Sequence, residues 1–343
     1  MNVTFFIGNG FDLNLGLKTD YRSFYDYYIK KCPEDMLAKA ISKDYKLWSD
    51  LEIGLGEYLA QIDASQVAEF LNSKALLEYH LSLYLKNQMK RLQIKNHESF
   101  VGEFKENVGN FHLGFPLVEQ KAYKKFLSET AESIIYQFVS FNYTDTLDKM
   151  IKSFLAARVP IANHASKRVG YNDVIANPIH IHGDVDSIIL GLNDETQINN
   201  KALQSNRDFT DCIIKKRVND ELGELRVESV IELMENSKYI CVFGMSIGDT
   251  DKMWWIAIID WLLKDSSRKL VLFVYDSSTV QSVSSQELVR LKRRKKANLI
   301  QRKNELDEAQ INDLNKRIII VKNPKLFNFR NIEIMKDATE NQG

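Results

Sequence analysis

Only three cysteines, Cys32, Cys212 and Cys241, occur in 343 residues, and no two of them form a C-x-x-C pair. Neither a disulfide-stapled fold nor a cysteine-rich zinc site is expected from so sparse a set. Net charge is also missing: 46 Lys and Arg balance 46 Asp and Glu. No global field therefore draws the chain to nucleic acid or to an anionic membrane. No uncharged apolar run approaches the ~20 residues that span a bilayer; "CVFGM" is too short and "WWIAIIDWLL" is interrupted. No basic leader precedes the strand-like "VTFFI", and there is no internal repeat or long low-complexity stretch. These absences together lead to the expectation of a soluble, reduced, cytoplasmic protein.

What is present suits a globular chain. The hydrophobic fraction is 44%, and the length allows one large domain or a core carrying a substantial insertion. Residues 2–8 read as a buried strand broken by glycine. From Tyr21 to about 135 the periodicity is helical; Trp48, Leu51, Leu55, Tyr58 and Ile62 recur at steps of three and four. Short apolar strands then alternate with helices: "FVSFNY" (138–143), "NPIHIHGD" (177–184), "DSIILG" (186–191), "YICVFGMS" (239–246), "KLVLFVYD" (269–276) and "RIIIV" (317–321). Strands of this kind, ending on Gly, Asn, Ser or Asp, indicate a parallel α/β sheet with ligands at the carboxyl ends of its strands. The expected division is 1–20 as first strand and glycine loop, 21–135 as helical insertion or cap, 136–330 as the rest of the core, and 331–343 as a disordered tail. The basic run "RLKRRKKANLIQRK" (290–303), followed at once by "NELDEAQIND", reads as a charged helical arm on a solvated or oligomer-facing surface.

Four stretches carry candidate chemistry. In "FFIGNGFDLNLGLKTDY" (5–21) a strand turns through Gly8, Asn9 and Gly10 into a helix bearing Asp12. Such a turn offers backbone N–H groups and a positive dipole end to an anion. It lacks the third glycine of G-x-G-x-x-G, so a tight turn with Asp12 as a helix cap is the competing reading. In "SFNYTDTLD", Asn142 at a strand end can hold a polar ligand group or cap the next helix, and Thr144 and Asp145 suit a helix start regardless of function. In "HIHGDVD", His180 and His182 alternate on one strand face. Two histidines without a third ligand at suitable spacing do not make a metal site. A general base needs a single imidazole with a pKa near neutrality at the ligand face, and His182, beside Gly183, is better placed for it than a structural His180. In "FGMSIGDTD", Gly244 and Ser246 end a central strand. A serine hydrolase of the α/β-hydrolase order would need a histidine after Ser246, and the last histidine is His182.

The stretches "IGNGFDLNLGLKTDY", "WSDLE", "FNYTDTLD", "HIHGDV" with "ILG", and "FGMSIGDTD" run in order from residue 5 to about 255. In that order the sequence resembles the phage abortive-infection AbiH family and, through it, sirtuin-like domains that handle NAD. The resemblance implies a sirtuin-like Rossmann-type parallel sheet with a large helical insertion after the first strand. It also implies that Gly8 and Gly10, with Asn9 and Asp12 shaping their turn, face a pyrophosphate. Asn142, with Asp145 nearby, would contact the nicotinamide ribose. His182, followed by Gly183, would be the catalytic base. Gly244 and Ser246 would touch the adenosine, and Asp276 the adenine ribose. The three scattered cysteines cannot supply the four-cysteine zinc module of sirtuin deacylases, so the activity implied is hydrolysis of NAD as a substrate, with no further cofactor and no metal. The alternatives are a module that binds a nucleotide or ADP-ribose without cleaving it, a nucleic-acid-cleaving toxin guided by the basic arm, and a scaffold acting through its helical cap. A second copy of the chain or a defence partner protein is the partner that such effectors imply.

Overall fold

In the computed structural model, residues 1–275, 285–322 and 324–335 are described. Their strands are β1 (Asn2–Ile7), β2 (Leu92–Ile94), β3 (Ile135–Ser140), β4 (Ala162–Ser166), β5 (Val169–Ile175), β6 (Ile179–His180), β7 (Ser237–Phe243), β8 (Lys269–Val274), β9 (Ile318–Lys322) and β10 (Ile332–Ile334). Eight of them form one sheet in the order β4-β5-β3-β1-β7-β8-β9, with β6 also paired to β3. Every pairing in this sheet is parallel except that of β4 with β5. All six residues of β1 are buried, as befits a central parallel strand covered on both faces.

Alternate residues of the strands feed two cores. Phe5, Phe138, Cys241 and Phe273 point to one side, against the helices His97–Phe104, Leu117–Glu129 and Thr146–Ala156. Phe6, Val139, Val242 and Leu272 point to the other, against Arg226–Glu235, Lys252–Lys264 and Glu308–Arg317. The fold is thus mixed α/β, built on a mostly parallel sheet. From β1 the chain moves outward to β3 and β6, then returns to β7 on the opposite flank of β1 and continues to β8 and β9. The order reverses at β1, and the carboxyl ends beside such a reversal are where parallel sheets hold ligands.

A third core lies apart from the sheet. Trp48, Leu51 and Leu55 are buried there at the expected helical spacing, with Phe24, Tyr28, Leu77, Leu192 and Phe209. The helical block after β1 therefore divides: its first part, to Met89, builds a cap with residues 185–214, while His97–Phe104 and Leu117–Glu129 cover the sheet. Asp20 and Asp50 cap the helices Tyr21–Lys31 and Leu51–Leu59 by accepting from backbone amides.

Three local expectations change. Residues 186–191 form no strand, because the Asp184 carboxylate accepts from the Asp186 and Ser187 amides and folds the segment into a turn. The β4–β5 hairpin was not foreseen; its two-residue turn, Lys167 and Arg168, has φ of 48° and 70°, without the glycine or asparagine that usually signals it. The segment 331–335 is ordered: β10 pairs antiparallel with β2.

Candidate functional site

The loops after β1 and β7 meet backbone to backbone. Gly8 N–H donates to the Phe243 carbonyl and Gly10 N–H to the Gly244 carbonyl, both at 2.9 Å. A Cβ on Gly8 would lie 2.6 Å from the Gly244 oxygen, and one on Gly10 would lie 2.6 Å from the Gly244 Cα. These glycines exist so that the two loops can touch, and their amides are directed into that contact rather than toward a ligand. Asn9 shapes the next turn: its Nδ2 donates to the Thr19 carbonyl and its Oδ1 accepts from the Thr19 hydroxyl. The expected phosphate cradle is therefore a structural joint at Gly8 and Gly10, although Gly10 also borders an open cavity.

Asp12 is not a helix cap. It is fully buried, and its Oδ2 accepts from the Thr144 hydroxyl at 2.6 Å and from Asn142 Nδ2 at 3.4 Å. Asn142 Nδ2 also lies 3.2 Å from the Gly8 carbonyl, so this cluster ties the end of β3 to the end of β1. Burial raises the Asp12 carboxyl from 3.8 to about 6, against the Thr144 hydrogen bond that favours ionisation. The folded state consequently holds this proton more tightly than the unfolded chain does. The stability it confers is full below pH 3.8, falls as pH rises to about 6, and is constant above. At about 1.4 kcal/mol per pH unit the decline is on the order of 3 kcal/mol. Urea unfolding of wild type and Asp12→Asn at pH 4 and pH 7 should show the variant losing less stability by this amount; parallel losses would contradict it.

Asn142 is 7% exposed, and its Oδ1 has no hydrogen-bond partner among the described residues. Asp145 pairs with Lys149 at 3.2 Å one helical turn on, while its own amide meets Met89 Sδ. His180 Nδ1 lies 2.9 Å from the Asn142 carbonyl and Nε2 lies 2.8 Å from Asp148 Oδ2. Both partners only accept, so both ring nitrogens donate. Burial opposes that charge, but the Asp148 carboxylate and the Asn142 carbonyl raise the His180 pKa on balance. His180 is thus a satisfied structural histidine.

His182 differs. Ser140 and His180 are register partners in β3 and β6, and two residues beyond them lie Asn142 and His182. The Phe141 ring packs edge-on against His182 at 5.7 Å. Burial, then the cations Lys215 and Arg226, hold His182 well below its ordinary pKa, so the ring is neutral and a weaker base than the near-neutral imidazole expected there. Gly183 has φ +77°, and a Cβ there would fall 1.8 Å from the Ser187 oxygen; only glycine makes this turn.

Sequence reasoning missed the polar seam between cap and core. Glu52 of "WSDLE" forms a buried ion pair with Lys215, and Asp50 accepts from the Thr250 hydroxyl. Burial raises the Glu52 pKa even beside Lys215, and Asp251 and Asp50 add to the rise. The acidic pattern in "WSDLE" was visible, but its partner lies 163 positions away. Removing one member of a buried pair strands the other charge, so Glu52→Ala should cost about 3–5 kcal/mol. Glu52→Met combined with Lys215→Met should recover most of it in urea denaturation; equal losses in the single and double variants would contradict the pairing.

On the β7–β8 flank lies a cavity of about 610 Å³ lined by Gly10, Gly244, Ser246, Trp255, Phe273 and Lys295, among others. Its volume is within the ~300–1,000 Å³ of small-molecule sites. The expected site residues thus fall into two groups: Gly10, Gly244 and Ser246 at this cavity, and Asn142, His182 and Gly183 at the ends of β3 and β6, with the β1 loop between. Asp276 lies outside the described residues. Among the described residues, no cluster of His, Cys, Asp and Glu could hold a metal ion, and no helix is long and apolar enough to cross a membrane.

Residues 4–273 match the family described as bacteriophage abortive infection AbiH. The chain belongs to the AbiH family. Most of the chain is covered by this match, from within β1 to within β8, so the two groups of site residues lie within the AbiH region. AbiH membership implies a role in phage abortive infection. No curated protein matches the chain.

Proposed function

We propose that this AbiH protein is an abortive-infection effector that hydrolyses NAD at the nicotinamide–ribose bond, on a Rossmann-type, sirtuin-like sheet. The strand order supports the Rossmann assignment: with the β4–β5 hairpin that also flanks β3 set aside, β6 beside β3 and then β1-β7-β8-β9 parallel the 3-2-1-4-5-6 order of dinucleotide folds. The observation that carries the chemistry is the unpartnered, buried Asn142 Oδ1 two residues past β3, with a neutral His182 two residues past its register partner in β6. A buried acceptor left open costs free energy unless a ligand donor fills it, and a ribose hydroxyl is such a donor. From β3 to β8 is three interstrand steps, roughly 14 Å at about 4.8 Å each, which suits two nucleosides joined by a pyrophosphate. The adenosine half occupies the Gly244 cavity and the nicotinamide ribose lies at Asn142.

The C1′–N bond to nicotinamide breaks with its electron pair leaving on the neutral nicotinamide. A water oxygen bonds to C1′, and the water proton passes to His182 and then to solvent. Glycosidic cleavage of this kind runs through an oxocarbenium-like state, which needs little push from the water, so a weak base that is neutral at rest and protonated only in passing suffices. Cells expressing the chain and challenged with phage should accumulate nicotinamide and ADP-ribose as NAD falls. A fall in NAD without free nicotinamide would put the cleavage at another bond and contradict the proposal.

A further inference from the structure

We infer that Lys295, from the basic 290–303 segment, is the cation that holds the phosphates of the bound nucleotide. The inference rests on the NAD reading above and adds the recognition of charge, which the glycine loop does not supply. Gly8 and Gly10 N–H groups are already donated to the Phe243 and Gly244 carbonyls. The helix that follows them, Gly10–Leu15, is only six residues long and carries Asp12 in its first turn. A pyrophosphate entering the crevice beside β1 therefore needs its positive partner from elsewhere.

Among the described residues lining the cavity, Lys295 alone bears a charge. The helix Ser285–Ile300 carries it there. Four other cations of the segment are engaged, Arg290 with Glu287, Lys303 with Asp260, Arg302 with Asp249, and Lys296 with the Asn315 carbonyl, while Arg293 and Arg294 are exposed. Arg302 also donates to the Ile247 carbonyl at 2.8 Å, which fastens the end of this segment to the loop that follows Ser246. Lys295 forms no ion pair with a described residue, and it is partly buried at an otherwise uncharged wall. The rest of the lining is mainly apolar or backbone, with the exposed Tyr275 offering aromatic surface. An apolar pocket with one cation at its wall fits a nucleoside carrying phosphate better than either a neutral nucleoside or a free anion.

Calorimetry on the full-length protein tests this with two probes, ADP-ribose and adenosine, neither of which the proposed hydrolysis consumes. Wild type should bind ADP-ribose more tightly than adenosine, with an affinity that falls as salt rises. Lys295→Ala should weaken ADP-ribose by about tenfold or more, leave adenosine unchanged, and keep the wild-type melting temperature, because no described ion pair is broken. Lys295→Arg should retain most of the ADP-ribose affinity. Equal ADP-ribose affinity in wild type and Lys295→Ala would overturn the role of Lys295 and leave the NAD reading standing. Parallel weakening of both probes would assign Lys295 to the shape of the pocket and also overturn it. Absence of ADP-ribose binding by wild type would overturn both inferences together.

Discussion

Gly244→Ala should lower the stability of the protein by about 3 kcal/mol. Gly244 has φ +74°, and a Cβ there would lie 2.6 Å from Phe11 N, 2.8 Å from Gly8 O and 2.9 Å from Gly10 C. The left-handed backbone costs a non-glycine residue on the order of 1 kcal/mol or more. The remainder comes from contact with main-chain atoms, which cannot rotate away as a side chain can. Relief requires the loops after β1 and β7 to separate, and that strains the bonds from Gly8 and Gly10 to the Phe243 and Gly244 carbonyls. The cavity borders the same joint, so ADP-ribose binding should fall with stability. Gly102→Ala is the control. Gly102 lies within the helix His97–Phe104, and a Cβ there meets nothing within 4 Å, so the change should stabilise by up to about 1 kcal/mol. Urea denaturation of both variants decides the matter, and equal midpoints would contradict the joint.

His182→Ala should reduce NAD cleavage by about 10²-fold, the low end of a general base's usual worth because the ring is a weak base, while the fold survives. Its ring packs edge-on against Phe141, so replacing it leaves a small gap rather than a stranded charge. Asn142→Ala should also abolish activity, but it removes the Nδ2 contacts to the Gly8 carbonyl and to Asp12 as well. Some loss of melting temperature should accompany it, which makes His182 the cleaner probe. The pH profile separates the two histidines of "HIHGD". Burial and the cations Lys215 and Arg226 hold His182 well below 6.5, so it stays unprotonated through neutrality and activity should be level from pH 6 to 8. His180 is raised; an acid limb between pH 7 and 6 that vanished in a His180 variant would transfer the base to His180.

Much of the core was legible because a doubly covered parallel strand has to be an uninterrupted apolar run. β1, β7, β8 and β9 lie close to where their runs put them. β3 lies at Ile135–Ser140 rather than 138–143, since the Ser140 hydroxyl accepts from the Asn142 amide and bends the chain out of the strand. Less legible was anything set by distant partners. "GNG" read as a phosphate loop or a tight turn, yet what approaches its glycines is the backbone of Gly244, more than 230 residues away. Asp12 looked like a surface cap and is a buried acid, because Thr144 and Asn142 arrive from another strand end. Glu52 and Lys215 read as unrelated charges until the cap meets the start of the helix Lys215–Glu221. The basic arm could not be oriented from its composition; its helix turns Lys295 toward the cavity while Arg293 and Arg294 face solvent.

The most direct measurement is the NAD content of phage-challenged cells expressing wild type or His182→Ala at equal protein levels. NAD should collapse with wild type and persist with His182→Ala, and only the wild type should arrest the phage. Phage arrest by both proteins with NAD intact would contradict hydrolysis and favour a protein that senses a nucleotide without cleaving it.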